Sequence, residues 1–278
     1  MNDALFGPTT PPDLHVMTYN VRRPITGPLV RVVDQWRERE PRMQRLLRAE
    51  RPTLLGTQEV MPRQLPALLT ALGPNYRVIG HGRDSNSRGE GCPIFFDTDR
   101  LELRAWQQHA LSDHPDSPGS RSWGNLVPRI AVSAEFRDRA TSALFLAVNT
   151  HFDHLSRGSR VRAAEWIRRR VAAQPLPAVV TGDLNAEADS PPLRELFDDD
   201  HLVDAWEAAS DHATPLWSTY TNYRPPHRYG ARIDWIAVTP DIDVREAGIN
   251  AHRFDGRWPS DHLPVQVVLR VPAGGASR

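Results

Sequence analysis

Four apolar runs of this chain end in residues suited to chemistry rather than to a core: HVMTYN at Asn20, TLLGTQE at Glu59, LFLAVNTH at His151 and AVVTGDLN at Asp183 and Asn185. Charged and amide groups are costly inside a hydrophobic layer unless partnered. Strands of this kind are therefore expected to pack so that their polar ends share one edge. A further segment has the opposite order, with Asp261 and His262 preceding LPVQVVL, so an antiparallel strand there would begin at the same edge. Asp234 interrupts the apolar run RIDWIAV, where an ionised carboxylate needs a partner.

Taken singly, each of these residues has an ordinary reading. Asn20 can open a turn, Glu59 can cap a helix after Pro62, GDLN can form an Asx-turn, and a lone histidine is more often structural than catalytic. Their joint occurrence at strand ends is what argues for a site.

The periodicity predicts strands at 14–19, 53–57, 76–79, 93–97, 101–109, 130–136, 144–150, 178–181, 232–238, 244–249 and 263–271. Helices are expected over Leu29–Ala49, Gln64–Leu72, Arg160–Ala173 and Leu193–Phe197. Strands that follow one another without helices imply antiparallel pairs, and the whole order suits mixed sheets covered by helices. A single domain over residues 14–271 is expected, with a flexible head, 1–13, and a flexible tail, 272–278. Segments 112–127 and 208–230, rich in Pro, Ser, Trp and Tyr, read as long functional loops.

Composition narrows the chemistry. Cys92 is the only cysteine, so internal disulfides and thiolate metal sites are excluded. Every basic residue is arginine, which rules out a Schiff base and a lysine phosphate loop. The 34 basic and 34 acidic residues cancel, which makes nucleic acid possible as a partner but not favoured. No apolar run reaches the ~20 residues of a membrane span, and the N-terminal residues lack the order of a secretory signal, so a cytoplasmic location is expected.

Carboxylates and an amide without thiolate suit a hard cation, Mg²⁺ or Mn²⁺, with Glu59, Asp261 and Asn20 as its expected shell. Asp183 with Asn185 can orient and activate water, while His151 and His262 can contact phosphate oxygens or exchange protons. Asp234 is then the carboxylate that orients His262.

With those residues in hand, the chain resembles the endonuclease/exonuclease/phosphatase superfamily over about Leu14–Leu269. The segments that carry the resemblance are MTYN, TQEV, NTHFDH, TGDLNAE, RIDWIAV and SDHLPV, in the family's order. It implies a four-layer α/β/β/α sandwich of two packed mixed, mostly antiparallel sheets. It also implies Asn20 and Glu59 at the metal with Asp261 near it, His151 at the phosphate, Asp183 and Asn185 around the nucleophilic water, and His262 paired with Asp234. Either Asp183 or His262 can take the role of base, and Asp183 is preferred. His151 is like the histidine of the deoxyribonuclease and sphingomyelinase branches; apurinic endonucleases have a tyrosine there. A nearer likeness is to a bacterial branch with THFDH, a GEG-PIFF segment at Gly89–Phe96 and a W-x-x-x-x-PRI segment at Trp123–Ile130. Arg22 stands where apurinic endonucleases carry an acid, which removes a second metal ligand and makes Arg22 a candidate phosphate contact.

The expected activity is hydrolysis of a phosphodiester or phosphomonoester by water attack on phosphorus, on a small or lipid-like substrate. A nuclease is the alternative, and a non-catalytic binding protein of the same fold a third reading. The oligomeric state does not follow from the sequence.

Overall fold

Along neighbouring strands the inward-facing side chains change in step from apolar to polar to ionisable, and this gradient builds the site. The computed structural model describes residues 4–273. Among them run strands β1 Leu14–Asn20, β2 Leu54–Gln58, β3 Tyr76–Ile79, β4 Ile94–Asp97, β5 Leu101–Ala110, β6 Ile130–Asp138, β7 Leu144–His151, β8 Ala178–Asp183, β9 Val203–Asp204, β10 Asp211–His212, β11 Asp234–Val238, β12 Asp243–Ile249 and β13 Val265–Arg270. The helices are α1 Trp36–Glu50, α2 Leu65–Leu72, α3 Arg157–Ala172, α4 Pro191–Leu196 and α5 Ala205–Ala208.

One sheet has the order β10-β12-β13-β1-β2-β4-β3 and the other β5-β6-β7-β8-β11-β9. Both are mixed and mostly antiparallel; β1–β2, β7–β8 and β10–β12 are the parallel pairs. The first two of these are joined by α1 and α3, as parallel neighbours require a crossover. β13 lies antiparallel to β1, so its leading Asp261 and His262 do fall at the edge where β1 ends.

Alternation of period two explains the layers. Val16, Leu54, Phe145, Ala147, Val179 and Ile236 face inward and fill the space between the sheets. Met17, Tyr19 and Leu55 face outward onto Met43, Leu46, Leu47 and Leu68 of α1 and α2. Leu146, Val148 and Val180 face the other way, onto Ala163, Ala164, Ile167 and Val171 of α3. The result is the expected α/β/β/α sandwich.

One step beyond the apolar layer the inner faces carry Thr18, Gly56, Gln58, Asn149 and Thr181, all buried. Asn149 joins the sheets. Its Nδ2 donates to the carbonyls of Thr57 at 2.8 Å and Cys92 at 2.9 Å, and its Oδ1 accepts from Gln58 Nε2 at 2.8 Å and Thr181 Oγ1 at 3.1 Å. Gly56 is required beneath it, because a Cβ there would stand 2.1 Å from Thr181 Oγ1. At the next inward position along these strands come Asn20, His151 and Asp183.

The helix expected from Leu29 begins only at Trp36. Arg31 and Gln35 are extended, with ψ of 138° and 132°, and only a single 3-10 turn, Val32–Asp34, lies between them. Leu29 and Val32 are exposed, so a helix there would have no apolar face to bury. The strand expected from Arg232 begins at Asp234, and β9, β10 and α5 are short elements that periodicity does not predict. Within the expected head, the backbone N–H groups of Leu5 and Gly7 donate to the Glu50 carboxylate at 2.6 and 3.1 Å. Residues 274–278 of the expected tail lie outside the described residues.

Candidate active site

Strand register sets the centre of the site. His151 pairs with Asp183 across β7–β8, and Asp234 pairs with Asp183 across β11–β8. Three inward-facing ionisable groups therefore stand in a row. His262 reaches the row from the first sheet, held by the backbone bond of Leu263 N–H to Thr219 O at 2.7 Å.

Asp183 Oδ2 is the point of convergence. It accepts from Asn20 Nδ2 at 2.9 Å, and it lies 3.6 Å from His151 Nε2 and 3.8 Å from His262 Nε2. The other oxygen, Oδ1, accepts the Asn185 backbone N–H at 3.0 Å. Asn185 is left-handed, with φ 48°, and its own Nδ2 donates to Phe152 O at 3.0 Å, so the loops after β7 and β8 are tied together. Glu59 is also left-handed, φ 59°, which turns its carboxylate back to the same edge as Gln58 leaves the strand. Backbone strain of this kind collects at functional sites.

Glu59 Oε1 accepts from Asn20 Nδ2 at 3.1 Å and Oε2 from the Arg23 N–H at 3.1 Å. Asn20 Oδ1 accepts the Arg22 N–H at 2.9 Å. As placed, Asn20 links Glu59 to Asp183 through its amide nitrogen, while Glu59 and Asp261 present carboxylates to one cavity of about 440 Å³. Arg22, Asp183, Asn185, His151 and His262 line it too. Oxygen donors of this type fit a hard divalent ion. Asp183, Asp234 and His262 also offer ligand atoms within 4.8 Å of one another, although His262 Nδ1 is engaged by Asp234 Oδ2 at 2.8 Å. A larger hollow, about 880 Å³, lies beside Trp217, Arg232 and Trp235 and contains none of the predicted site residues.

The protonation pattern follows from burial and neighbours. Burial works against the His262 cation, but Asp234 and then Asp183 outweigh it and push the imidazole up to about 10. Burial first and Asp234 second push Asp183 up to about 7. His151 is driven well below its ordinary value by burial, reinforced by Arg129 and Arg83. Burial raises Asp261; Glu59 is lowered, since the Arg23 N–H and Arg22 outweigh its burial. At neutral pH the edge thus holds a cationic His262, a neutral His151 and an Asp183 near its own titration point.

All the predicted site residues meet at this edge, Asp234 from behind. Its Oδ1 is buried without a hydrogen-bond partner, so His262 is its main compensation. Sequence reasoning missed several neighbours. Arg129 donates from Nε to Asp153 Oδ2 at 3.2 Å and from Nη2 to His154 Nδ1 at 3.0 Å, and Arg23 and Arg83 share Glu90 at 3.1 and 2.9 Å. The PRI, THFDH and GEG segments contained this signal. Asp153 is largely structural: its Oδ1 accepts the N–H groups of Leu155 and Ser156, ahead of α3. Tyr220, whose ring lies 5.1 Å from that of His262 and tilted 57° to it, stands in the 208–230 loop already read as functional, whereas Arg39 carried no local signal. Arg39 is fully buried and donates to the carbonyls of Val21, Arg22 and Pro259, fixing two site loops to each other.

The structure of an endonuclease/exonuclease/phosphatase from Bacteroides vulgatus superposes with a TM-score of 0.86 at 32% identity, over 94% of this chain and 99% of that one. A mannosyl-6-phosphatase from Bacteroides thetaiotaomicron gives 0.84 at 31% identity, over 92% and 99%. Protein angel of Drosophila melanogaster is 27% identical over 181 residues, 61% of this chain, and the match spans only 49% of that protein. The model of the Endonuclease/Exonuclease/phosphatase family matches residues 17–262, and the chain belongs to that family.

Proposed function

We propose that the chain is a divalent-metal-dependent phosphoesterase that hydrolyses a small phosphate ester by attack of water on phosphorus, with sugar phosphomonoesters as the preferred class. The observation that carries the reading is the convergence of Asn20, His151 and His262 on the single oxygen Asp183 Oδ2. A carboxylate whose proton is lost near pH 7 suits a general base. Asp183 takes the proton of the attacking water, and the Asn185 N–H on its other oxygen aims it. His262, kept cationic and oriented by Asp234, donates from Nε2 to a phosphate oxygen; neutral His151 donates to another.

Glu59 and Asp261, with Asn20 beside them, would hold Mg²⁺ or Mn²⁺. When bound, such an ion neutralises phosphate charge and stabilises the leaving oxygen. The likeness to a mannosyl-6-phosphatase supports the monoester, and the balanced net charge weighs against a long polyanion. A second reading, a nuclease, is favoured by Tyr220, 42% exposed at the cavity with its ring 5.1 Å from that of His262, where a base could lie against it.

A panel separates the two: mannose 6-phosphate, glucose 6-phosphate, bis(p-nitrophenyl) phosphate, single-stranded DNA and RNA, each with Mg²⁺, Mn²⁺ or EDTA. Phosphate release from the sugar monoesters, abolished by EDTA, is expected. Nuclease turnover at physiological salt with no action on small esters would reverse the preference.

A further inference from the structure

Arg22 holds the two carboxylates assigned above to the metal. Its Nε lies 3.4 Å from Asp261 Oδ2 and its Nη1 3.9 Å from Glu59 Oε2. These are ion pairs without hydrogen-bond geometry. A third carboxylate holds it better: Nε and Nη2 donate to the two oxygens of Asp34, each at 3.3 Å. Asp34 is itself fixed, because Tyr223 OH donates to its Oδ1 at 2.9 Å. The Arg22 backbone is pinned as well, left-handed at φ 57° with its N–H on Asn20 Oδ1.

One guanidinium therefore has a firm anchor on one side and loose partners on the other. Without it, Glu59, Asp261 and Asp34 would face one another with only His262 and Arg39 left as nearby cations, a costlier arrangement where water is partly excluded. An arginine keeps its charge at any working pH, so it can be moved aside but not neutralised. A divalent ion taking up Glu59 and Asp261 brings more charge to the same oxygens and leaves the Asp34 pair intact.

We propose that Arg22 is the resident counter-cation of this site: it holds Glu59 and Asp261 before the ion arrives, yields them to it, remains on Asp34, and so sets ion affinity by competition. The inference rests on the metal reading above. Arg22 is by this account a positioning residue, and once Glu59 and Asp261 are given up its Nη1 is the one guanidinium nitrogen not committed to Asp34.

The test is Mn²⁺ binding to the full chain, followed by the electron paramagnetic resonance of the free ion. Arg22→Met keeps the stem and loses the charge, and is expected to bind Mn²⁺ about tenfold more tightly, the scale of one partly screened ion pair removed. Arg23→Met is the control for field alone, since that side chain pairs with Glu90 instead; its affinity should stay within about twofold of wild type. Asp34→Asn removes the anchor, and should weaken Mn²⁺ binding at least about threefold more when Arg22 is present than in the Arg22→Met background. Arg22→Met binding no more tightly than wild type overturns the proposal, as does Arg23→Met tightening by the same factor. If Arg22→Met does not fold, Arg22→Gln takes its place in both comparisons, with the same expected and overturning results. Failure of both wild type and Arg22→Met to bind Mn²⁺ would instead remove the metal reading, and this inference with it.

Discussion

Asp234 Oδ2 accepts a hydrogen bond from His262 Nδ1 at 2.8 Å, which joins β11 of one sheet to the segment leading into β13 of the other. The contact fixes the rotation of His262, stabilises its cation and leaves Nε2 directed at Asp183. Asp234→Asn preserves the shape and removes the charge. The His262 imidazole should then fall from about 10 toward its ordinary value, and kcat should drop by roughly 10² to 10⁴. NMR titration of His262 alongside the kinetics checks both. A His262 that stays cationic at pH 8 in Asp234→Asn would show that Asp234 does not hold its proton.

The same values set the pH dependence. Activity should rise as Asp183 loses its proton at about 7 and fall as His262 loses its own at about 10, giving a bell-shaped kcat/KM profile. Metal-free stability follows with a definite sign. A histidine whose folded value lies above 6.5 contributes stability that is complete below 6.5 and lost as pH rises through about 10. Asp183 is also raised, from 3.8 to about 7, so its contribution too is lost with rising pH, over that lower window. Denaturant midpoints across pH 5 to 11 measure the trend, and Asp234→Asn should flatten its alkaline part. Stability that increases between pH 7 and 10 would contradict the assignment.

Asn149 is the hinge between packing and site. Removing its amide strands the Thr57 and Cys92 carbonyls and takes a partner from Gln58 and Thr181 between the sheets. Asn149→Ala should therefore cost roughly 3 kcal/mol of unfolding free energy, since each buried group left unpaired costs ~1–3 kcal/mol. Chemical denaturation measures this. A loss below about 1 kcal/mol would mean that water or a shifted side chain replaces the amide.

Much of this arrangement was legible in the sequence because period two and apolar-to-polar gradients are local. Val16-Thr18-Asn20, Ala147-Asn149-His151 and Val179-Thr181-Asp183 each spell inner face, sheet-joining layer and site in consecutive inward positions. The antiparallel pairs β3–β4, β5–β6, β6–β7 and β12–β13 join consecutive strands with no helix between them, and the parallel pairs β1–β2 and β7–β8 flank α1 and α3. What stayed hidden is non-local. The Asp34–Arg22–Asp261 cluster depends on a turn where a continuous helix is expected, and its anchor Tyr223 is 189 residues away in a long loop. Arg39 looks like one more surface arginine on an amphipathic helix, and only its fivefold backbone capture reveals its task.

Activation of water by Asp183 at a metal-dependent site underlies every step proposed above. Its most direct test is steady-state hydrolysis of mannose 6-phosphate by wild type and Asp183→Asn at pH 8, each with Mg²⁺ and with EDTA. Wild type should release phosphate only with the ion, and the variant, folded by circular dichroism, should lose about 10² to 10⁴ of that rate. Hydrolysis that persists in EDTA, or that survives Asp183→Asn intact, would contradict the account.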